Sequence, residues 1–281
     1  KGQVPMAWTL SKRLFYTAIF ISGSSALVYQ LIWVRLLGLV FGVSSFAVAT
    51  VVAVFLLGLG LGSYFFGKWS ERTENPLRIY MYVEVCIAVT SLASYLVIDH
   101  LPVYRYLYES AYNSLDLYGM SVVRLLLSVA VLLPPVFFIG GTMPLIAKYS
   151  LTASTTFGSG FSRIYYLNTL GAFAGALLTG FVLVRFLGVF VTLMLAVAGN
   201  LLVAAIIVVG KSESAPLPES TEANTPYSYM LFILFLTGFI SLGYEVLWVR
   251  ILSTYGLSTS QAFALIVAGF LLGFSIGSFL V

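Results

Sequence analysis

Long apolar runs separated by short polar segments dominate this chain. The runs cover residues 14–39, 46–66, 76–98, 121–139, 164–184, 188–209, 229–252 and 261–281. Each is close to the roughly 20 residues that an α-helix needs to cross the hydrocarbon core of a bilayer. The pattern predicts an all-α, polytopic membrane protein with about eight transmembrane helices, arranged as six plus two.

The polar segments between the runs divide the chain. Residues 1–13 form a basic leader, 14–210 a six-helix membrane bundle, 211–227 a polar linker and 228–281 a final pair of helices. The tyrosine-rich segment 99–119 predicts a short helix on the membrane surface, because tyrosine favours the headgroup level. Pro134 and Pro135 predict that the fourth apolar helix kinks or ends near residue 139, before a loop over 140–162.

One segment of the chain, from Gly23 to Ser63, occurs twice. At a constant offset and without a gap, SGSSALVYQLIWVRLLGLVFG from Ser22 aligns with TGFISLGYEVLWVRILSTYGL from Thr237. Repeats in membrane proteins form related bundles that face each other across a shared interface. We therefore expect 228–281 to repeat 14–66 as part of a truncated second bundle. The aligned pairs include Gly23/Gly238, Tyr29/Tyr244, Trp33/Trp248, Arg35/Arg250, Phe55/Phe270, Gly58/Gly273 and Gly62/Gly277.

Composition supports the membrane assignment. The chain is 60% hydrophobic and 9% charged, whereas soluble domains are roughly 25% charged. The lipid bilayer is therefore the expected surrounding, and the net charge of +4 is not read as a nucleic-acid signal. The single cysteine, Cys86, allows no intrachain disulfide.

The distribution of basic residues predicts the orientation. Lys and Arg are enriched in the cytoplasmic loops of membrane proteins. Placing the N-terminus and the linker in the cytoplasm puts most of the basic residues on that side: Lys1, Lys12, Arg13, Lys68, Arg72, Arg78, Lys148, Arg163 and Lys211. The opposite side then carries Arg35, Arg105, Arg124, Arg185 and Arg250.

Small residues recur at helical spacing on several of the apolar runs. Such ridges let helix backbones approach closely, so that van der Waals contact replaces the hydrophobic driving force that lipid removes. Helix packing is the simpler interpretation, and a close-approach surface for a substrate is the alternative. The residues concerned are Gly58, Gly62, Gly171, Gly175, Gly269, Gly273 and Gly277.

Polar residues within the duplicated helix allow two interpretations. Tyr29 and Trp33 share one helix face, as do their duplicates Tyr244 and Trp248, and an aromatic belt with a snorkelling arginine is one interpretation. The other is that Glu245, with Gln30 as its neutral counterpart, lines a cavity between the copies. A carboxylate in hydrocarbon costs roughly 2.5–3.5 kcal/mol and needs a partner. Arg35 from the other copy is a better candidate for that partner than Arg250.

Glu84 is the carboxylate placed well inside the third apolar run. A pairing with Arg124 or with a backbone group is the structural interpretation, and contact with a cation or polyamine is the functional one. The candidate substrate-binding residues are therefore Glu84, Glu245, Gln30, Arg35 and Arg250. His100, next to Asp99, has no second histidine or cysteine near it, so we expect no metal site.

Catalytic motifs are missing from this sequence. It contains no glycine-rich phosphate loop after a strand and no Walker lysine, and its one histidine falls in a loop without a nucleophile pattern. We therefore assign no catalytic residue and expect no cofactor.

Five segments of the sequence resemble those of a known protein family. SALVYQLIWVRLLGLVFG, FLLGLGLGSYFFGKWSER, LLPPVFFIGGTMPL, RIYYLNTLGAFAGALLTGFVLVRFLG and GYEVLWVRIL resemble the membrane region of bacterial fused, major-facilitator-like spermidine-synthase-like proteins. The resemblance covers nearly the whole chain and implies a bacterial inner-membrane location. In that family the aminopropyltransferase chemistry belongs to a soluble domain that binds decarboxylated S-adenosylmethionine. This stretch contains no such domain, so no catalytic residue carries over.

Two functions fit these observations. The first is an accessory or scaffold subunit packed against other membrane protein subunits, and the many small-residue ridges favour it. The second is a transporter-like domain that handles a polyamine or another small amine, which predicts a central polar cavity reached by Glu84, Glu245 and Gln30. Aminopropyltransferase activity would require a longer parent chain.

Overall fold

The protein is described here by a computed structural model covering residues 11–41, 45–100, 102–112, 115–153, 157–210, 228–256 and 258–280. Within these ranges the secondary structure is helical, without a β-strand. The predicted leader up to residue 10, the centre of the turn at 42–44 and the linker 211–227 lie outside the described residues.

The described residues form nine α-helices. They are α1 (Lys12–Phe41), α2 (Ser45–Glu71), α3 (Pro76–His100), α4 (Pro102–Tyr112), α5 (Leu117–Ala153), α6 (Phe157–Leu178), α7 (Val184–Val209), α8 (Ser228–Thr254) and α9 (Thr259–Leu280), with a π-helical turn at Thr179–Leu183 between α6 and α7.

Seven stretches of the described chain are long and apolar enough to cross a membrane. The longest, Gly160–Val209, has 50 residues, or roughly 75 Å of helix at 1.5 Å per residue, more than twice the hydrocarbon thickness. It divides at Gly188, whose φ of 78° is a backbone conformation that glycine tolerates best. The division yields two crossings, and the predicted polytopic α-helical fold with about eight membrane helices is confirmed.

The fourth apolar run forms a longer helix than its prolines predicted. Instead of ending near residue 139, α5 continues to Ala153 through Pro134, Pro135 and Pro144. Membrane helices tolerate proline because neighbouring helices and Ser or Thr side chains satisfy the freed backbone groups. Here α2 and α3 both pack against α5. Much of the predicted 140–162 loop is therefore helix.

Helix α4 lies in the tyrosine-rich segment and has 11 residues. Its Tyr108 is buried, and the hydroxyl of this residue donates to the Phe41 carbonyl at 3.2 Å. The Arg124 guanidinium donates to the same hydroxyl at 3.2 Å. Tyr106 and Tyr112 are exposed. These contacts attach α4 to the ends of α1 and α5, and its position on a membrane surface stays a prediction.

Glycine allows the helices of the first six crossings to touch. A Cβ atom built on Gly62 would clash with the Phe137 backbone of α5, and one on Gly58 would lie 2.8 Å from the Val136 side chain. Gly171 and Gly175 of α6 meet α1 in the same way, against the backbone oxygens of Phe20 and Ser24. Close backbone approach of this kind supplies the van der Waals contact that holds membrane helices together.

The two copies of the repeat form similar helix pairs in different surroundings. Helix α1 lies inside the bundle and α2 packs one face against α5, whereas α8 is exposed along most of its length. The packing predicted for Gly269, Gly273 and Gly277 is not formed, because a Cβ atom on any of them would meet no described atom within 4 Å. No described helix covers the second copy as α5 covers Gly58 and Gly62.

We predict that Gly62→Ala lowers the free energy of unfolding by about 1–3 kcal/mol, the usual cost of overpacking. The added methyl would overlap the Phe137 backbone, which cannot rotate away as a side chain can. Gly60→Ala on the same helix and Gly277→Ala at the repeat-equivalent position should change little, because both sites are open. Thermal unfolding in detergent measures all three, and equal shifts would contradict this packing.

Candidate functional site

A cavity of about 400 Å³ lies between the two copies of the repeat. Helices α1 and α2 contribute one part of its wall, α8 and α9 another, and α5 and α6 close it. We call it the inter-repeat cavity. Its polar and aromatic lining consists of Ser22, Gln30, Phe55, Thr142, Tyr165, Asn168, Thr169, Asn200, Ser241, Glu245, Phe270 and Phe274.

Equivalent positions of the repeat converge on this cavity. Gln30 of α1 and Glu245 of α8 align in the duplication, and both line the same space. Gln30 is buried and Glu245 is partly buried. Phe55 and Phe270, another aligned pair, also line it. The duplication therefore places one amide, one carboxylate and two aromatic rings around a common volume.

Glu84 lies behind the cavity wall and is fully buried. Its Oε1 accepts a 2.6 Å hydrogen bond from the Ser22 hydroxyl, and its Oε2 accepts one from the Asn200 side-chain amide. Both donors also line the inter-repeat cavity. A single side chain therefore separates the Glu84 carboxyl group from the cavity on each of two sides. It is Ser22 of α1 on one side and Asn200 of α7 on the other.

The hydrogen-bond network extends from Asn200 to Tyr29. The Tyr29 hydroxyl donates to Asn200 Oδ1 at 2.9 Å, and its ring stacks on Trp33 with a centroid distance of 5.7 Å. Tyr29 and Trp33 are both 0% exposed. The interpretation of these two residues as an aromatic belt at the membrane surface is therefore wrong, since they are interior groups of the bundle.

Two further hydroxyl groups accompany the carboxyl group. Tyr80 is fully buried on the helix turn before Glu84 and interacts with it electrostatically. Ser91 is also fully buried on α3 and lies near Tyr29. Neither hydroxyl forms a hydrogen bond with good distance and angle. The polar interior therefore has hydrogen-bonding capacity that the described residues do not fully use.

The candidate arginines lie away from this site. Arg35 and Arg250 are exposed, and neither lines the cavity. The predicted ion pair between Arg35 and Glu245 is not formed, because α1 directs position 35 away from the cavity that position 30 lines. The predicted pairing of Glu84 with Arg124 is not formed either, since Arg124 contacts Tyr108.

Several residues of the site were not among the sequence candidates, and three of them bear on its hydrogen bonding. Ser22, Asn168 and Asn200 line the cavity, and two of them bind Glu84. The signal was available for the asparagines, because each interrupts an apolar run that is long enough to span the membrane. Ser22 offered no such signal, since isolated serines are common in membrane helices.

The lining limits the chemistry of the site. Among the residues that the structure describes, no Lys, Arg or His side chain lines the cavity, so no positively charged group faces it. Among the described residues, no cluster of three His, Cys, Asp or Glu side chains is placed to hold a metal ion. His100 pairs with Asp99 at 3.0 Å near the end of α3 and is largely exposed.

Comparison of the chain with family models, curated proteins and solved structures finds no match.

We predict that Asn200→Leu lowers the free energy of unfolding by about 1–3 kcal/mol, because it leaves a buried carboxyl group and a buried tyrosine hydroxyl short of a partner. The neighbouring Leu201→Ala, on the exposed side of α7, is the control for general damage to the helix. In a Glu84→Leu background the cost of Asn200→Leu should shrink, since the two residues interact. An unchanged cost would show that Asn200 acts independently of Glu84.

Proposed function

We propose that this membrane domain binds a small organic cation, such as a polyamine, in the inter-repeat cavity. The observation that carries the proposal is the convergence of Gln30 and Glu245 on one volume of about 400 Å³. Ligand pockets are typically 300–1,000 Å³, mostly apolar, with a few polar groups that orient the ligand. This cavity agrees with that description.

The cation is inferred from charge and from aromatic content. Glu245 forms no ion pair with any described Lys, Arg or His side chain, and a carboxylate at membrane depth is costly without a positive partner. Phe55, Phe270 and Phe274 line the same space, and aromatic faces attract organic cations. A ligand ammonium group would supply the charge that the protein does not.

The family and location belong to the same proposal. The resemblance of the chain to spermidine-synthase-like membrane regions is consistent with a polyamine ligand and favours a bacterial inner membrane. The distribution of Lys and Arg favours an N-terminus in the cytoplasm. Aminopropyltransferase activity is proposed only for a longer parent chain with a soluble domain.

We predict that spermidine binds to the purified protein and that Glu245→Gln weakens binding at least tenfold, because the substitution removes the negative charge and keeps the shape. Titration calorimetry in detergent at low ionic strength measures both affinities. Glu71→Gln is the matched control, since Glu71 is an exposed carboxylate at the end of α2.

The spermidine affinities of the two variants distinguish a specific site from a general attraction to negative charge. Equal weakening by the two substitutions would indicate only a general attraction of the amine to negative charge. No binding to the unmodified protein would overturn the proposed function.

A second candidate function is packing against a partner membrane protein. The exposed second copy favours it: Tyr244 is 57% and Trp248 46% exposed, whereas their duplicates Tyr29 and Trp33 are 0% exposed. Gly238 and Gly273 meet nothing within 4 Å, whereas Gly23 and Gly58 touch neighbouring helices. In the first copy these positions are covered by membrane helices at backbone contact distance. We therefore expect a partner's membrane helix to cover the equivalent positions of the second copy.

We predict that a photo-crosslinking amino acid at position 248 forms a discrete protein adduct in native membranes, whereas one at position 64, on the exposed face of α2, labels lipid. Mass spectrometry of the adduct should identify an apolar membrane helix. Lipid labelling at both positions would exclude a partner on this face, and a soluble peptide at position 248 would contradict a membrane partner.

A further inference from the structure

We propose that Glu84 is a proton-binding site coupled to the inter-repeat cavity: it holds a proton while the cavity is empty and releases it when a cation binds there. This inference rests on the proposed function for its second half. The claim that Glu84 holds a proton depends only on the surroundings of its carboxyl group.

Burial without a counter-charge is the first argument. Glu84 is 0% exposed, and no Lys, Arg or His side chain among the described residues forms an ion pair with it. An ionised carboxylate in such a place pays a desolvation cost of several kcal/mol that two neutral hydrogen bonds do not recover. Binding a proton removes that cost.

The hydrogen-bond geometry fits both states of the group. With Glu84 ionised, the Ser22 hydroxyl donates to Oε1 and the Asn200 amide donates to Oε2. With Glu84 protonated on Oε1, the acid donates to the Ser22 oxygen at the same 2.6 Å separation, because a hydroxyl can both donate and accept. Asn200 continues to donate to the carbonyl oxygen. The proton is gained and lost without a rearrangement of helices.

A short route connects the proton to water. Ser22 contacts Glu84 on one side and lines the cavity on the other. A proton on Oε1 can pass to the Ser22 oxygen while the serine hydroxyl proton passes to a water molecule in the cavity. The step leaves a carboxylate, an unchanged serine and a hydrated proton, so charge and atoms balance.

Few other groups can take part in this titration. The described groups around Glu84 are Ser22 and Tyr29 of α1, Tyr80 of α3 and Asn200 of α7. The two tyrosines are the titratable ones, and their neutral form is the ordinary form near neutral pH. Among the groups around its carboxyl, Glu84 is therefore the one whose charge changes, and Glu245 is a separate carboxyl group in the cavity.

The coupling has a defined sign. A cation in the cavity stabilises the ionised form of Glu84 and so favours release of its proton. By linkage, loss of the proton strengthens cation binding by the same factor. Affinity for the cation should rise with pH, by up to about tenfold per pH unit for one released proton.

Infrared difference spectroscopy tests the proton directly. The Glu245→Gln variant removes the other carboxylate at membrane depth, and the described glutamates Glu71, Glu74 and Glu109 are exposed. We expect this variant to retain the C=O band of one protonated carboxyl group at pH 7, and a variant that carries Glu84→Gln as well to lose it. Absence of the band in Glu245→Gln, which leaves the Glu84 network intact, would overturn the proposal even if Glu84→Gln fails to fold.

Spermidine then tests the coupling in the otherwise unmodified protein. In weakly buffered solution at pH 7, binding should release protons, and the Glu84→Gln variant should release fewer by up to one proton per ligand, because Glu245 remains as a second carboxyl group in the cavity. Binding by the unmodified protein and the Glu84→Gln variant with equal proton release would overturn the coupling and leave the proposed function standing. No binding would overturn the proposed function and the coupling with it, while the infrared band still decides whether Glu84 holds a proton.

Discussion

A polar group inside a bilayer must find its partner within the protein, because hydrocarbon offers none. This constraint explains why the described backbone is helical and why Ser22, Glu84 and Asn200 meet at one point. Three helices, α1, α3 and α7, each contribute one of these side chains. Their contact fixes the relative rotation of the helices, and that rotation also directs Gln30 into the cavity.

Close packing determines where the rest of the molecule goes. Glycine in α2 and α6 brings the backbones of α5 and α1 to contact distance, so α1 becomes an interior helix. The second copy has the same small residues and no covering helix in the described chain. The same sequence pattern is therefore packed against neighbouring helices in the first copy and left open in the second. The inter-repeat cavity lies where the two copies meet.

The sequence predicted the fold well because length and apolarity decide which segments cross a membrane. The prediction for α5 was wrong. The prolines predicted that this helix ends near residue 139, but packing against neighbouring helices lets it continue to Ala153. At the site, Glu84, Gln30 and Glu245 were identifiable as charged or amide groups at depth. Their partners were not, since helix rotation decides whether Glu84 meets Arg124 or Asn200, and periodicity alone does not specify that rotation.

The most direct test of the account is an experimental structure of the full chain in lipid nanodiscs with spermidine added. The account predicts ligand density between Gln30 and Glu245, with an ammonium group at the Glu245 carboxylate and Glu84 still bonded to Ser22 and Asn200. A structure in which α8 packs elsewhere, or in which lipid chains fill the space between the two copies, would contradict it.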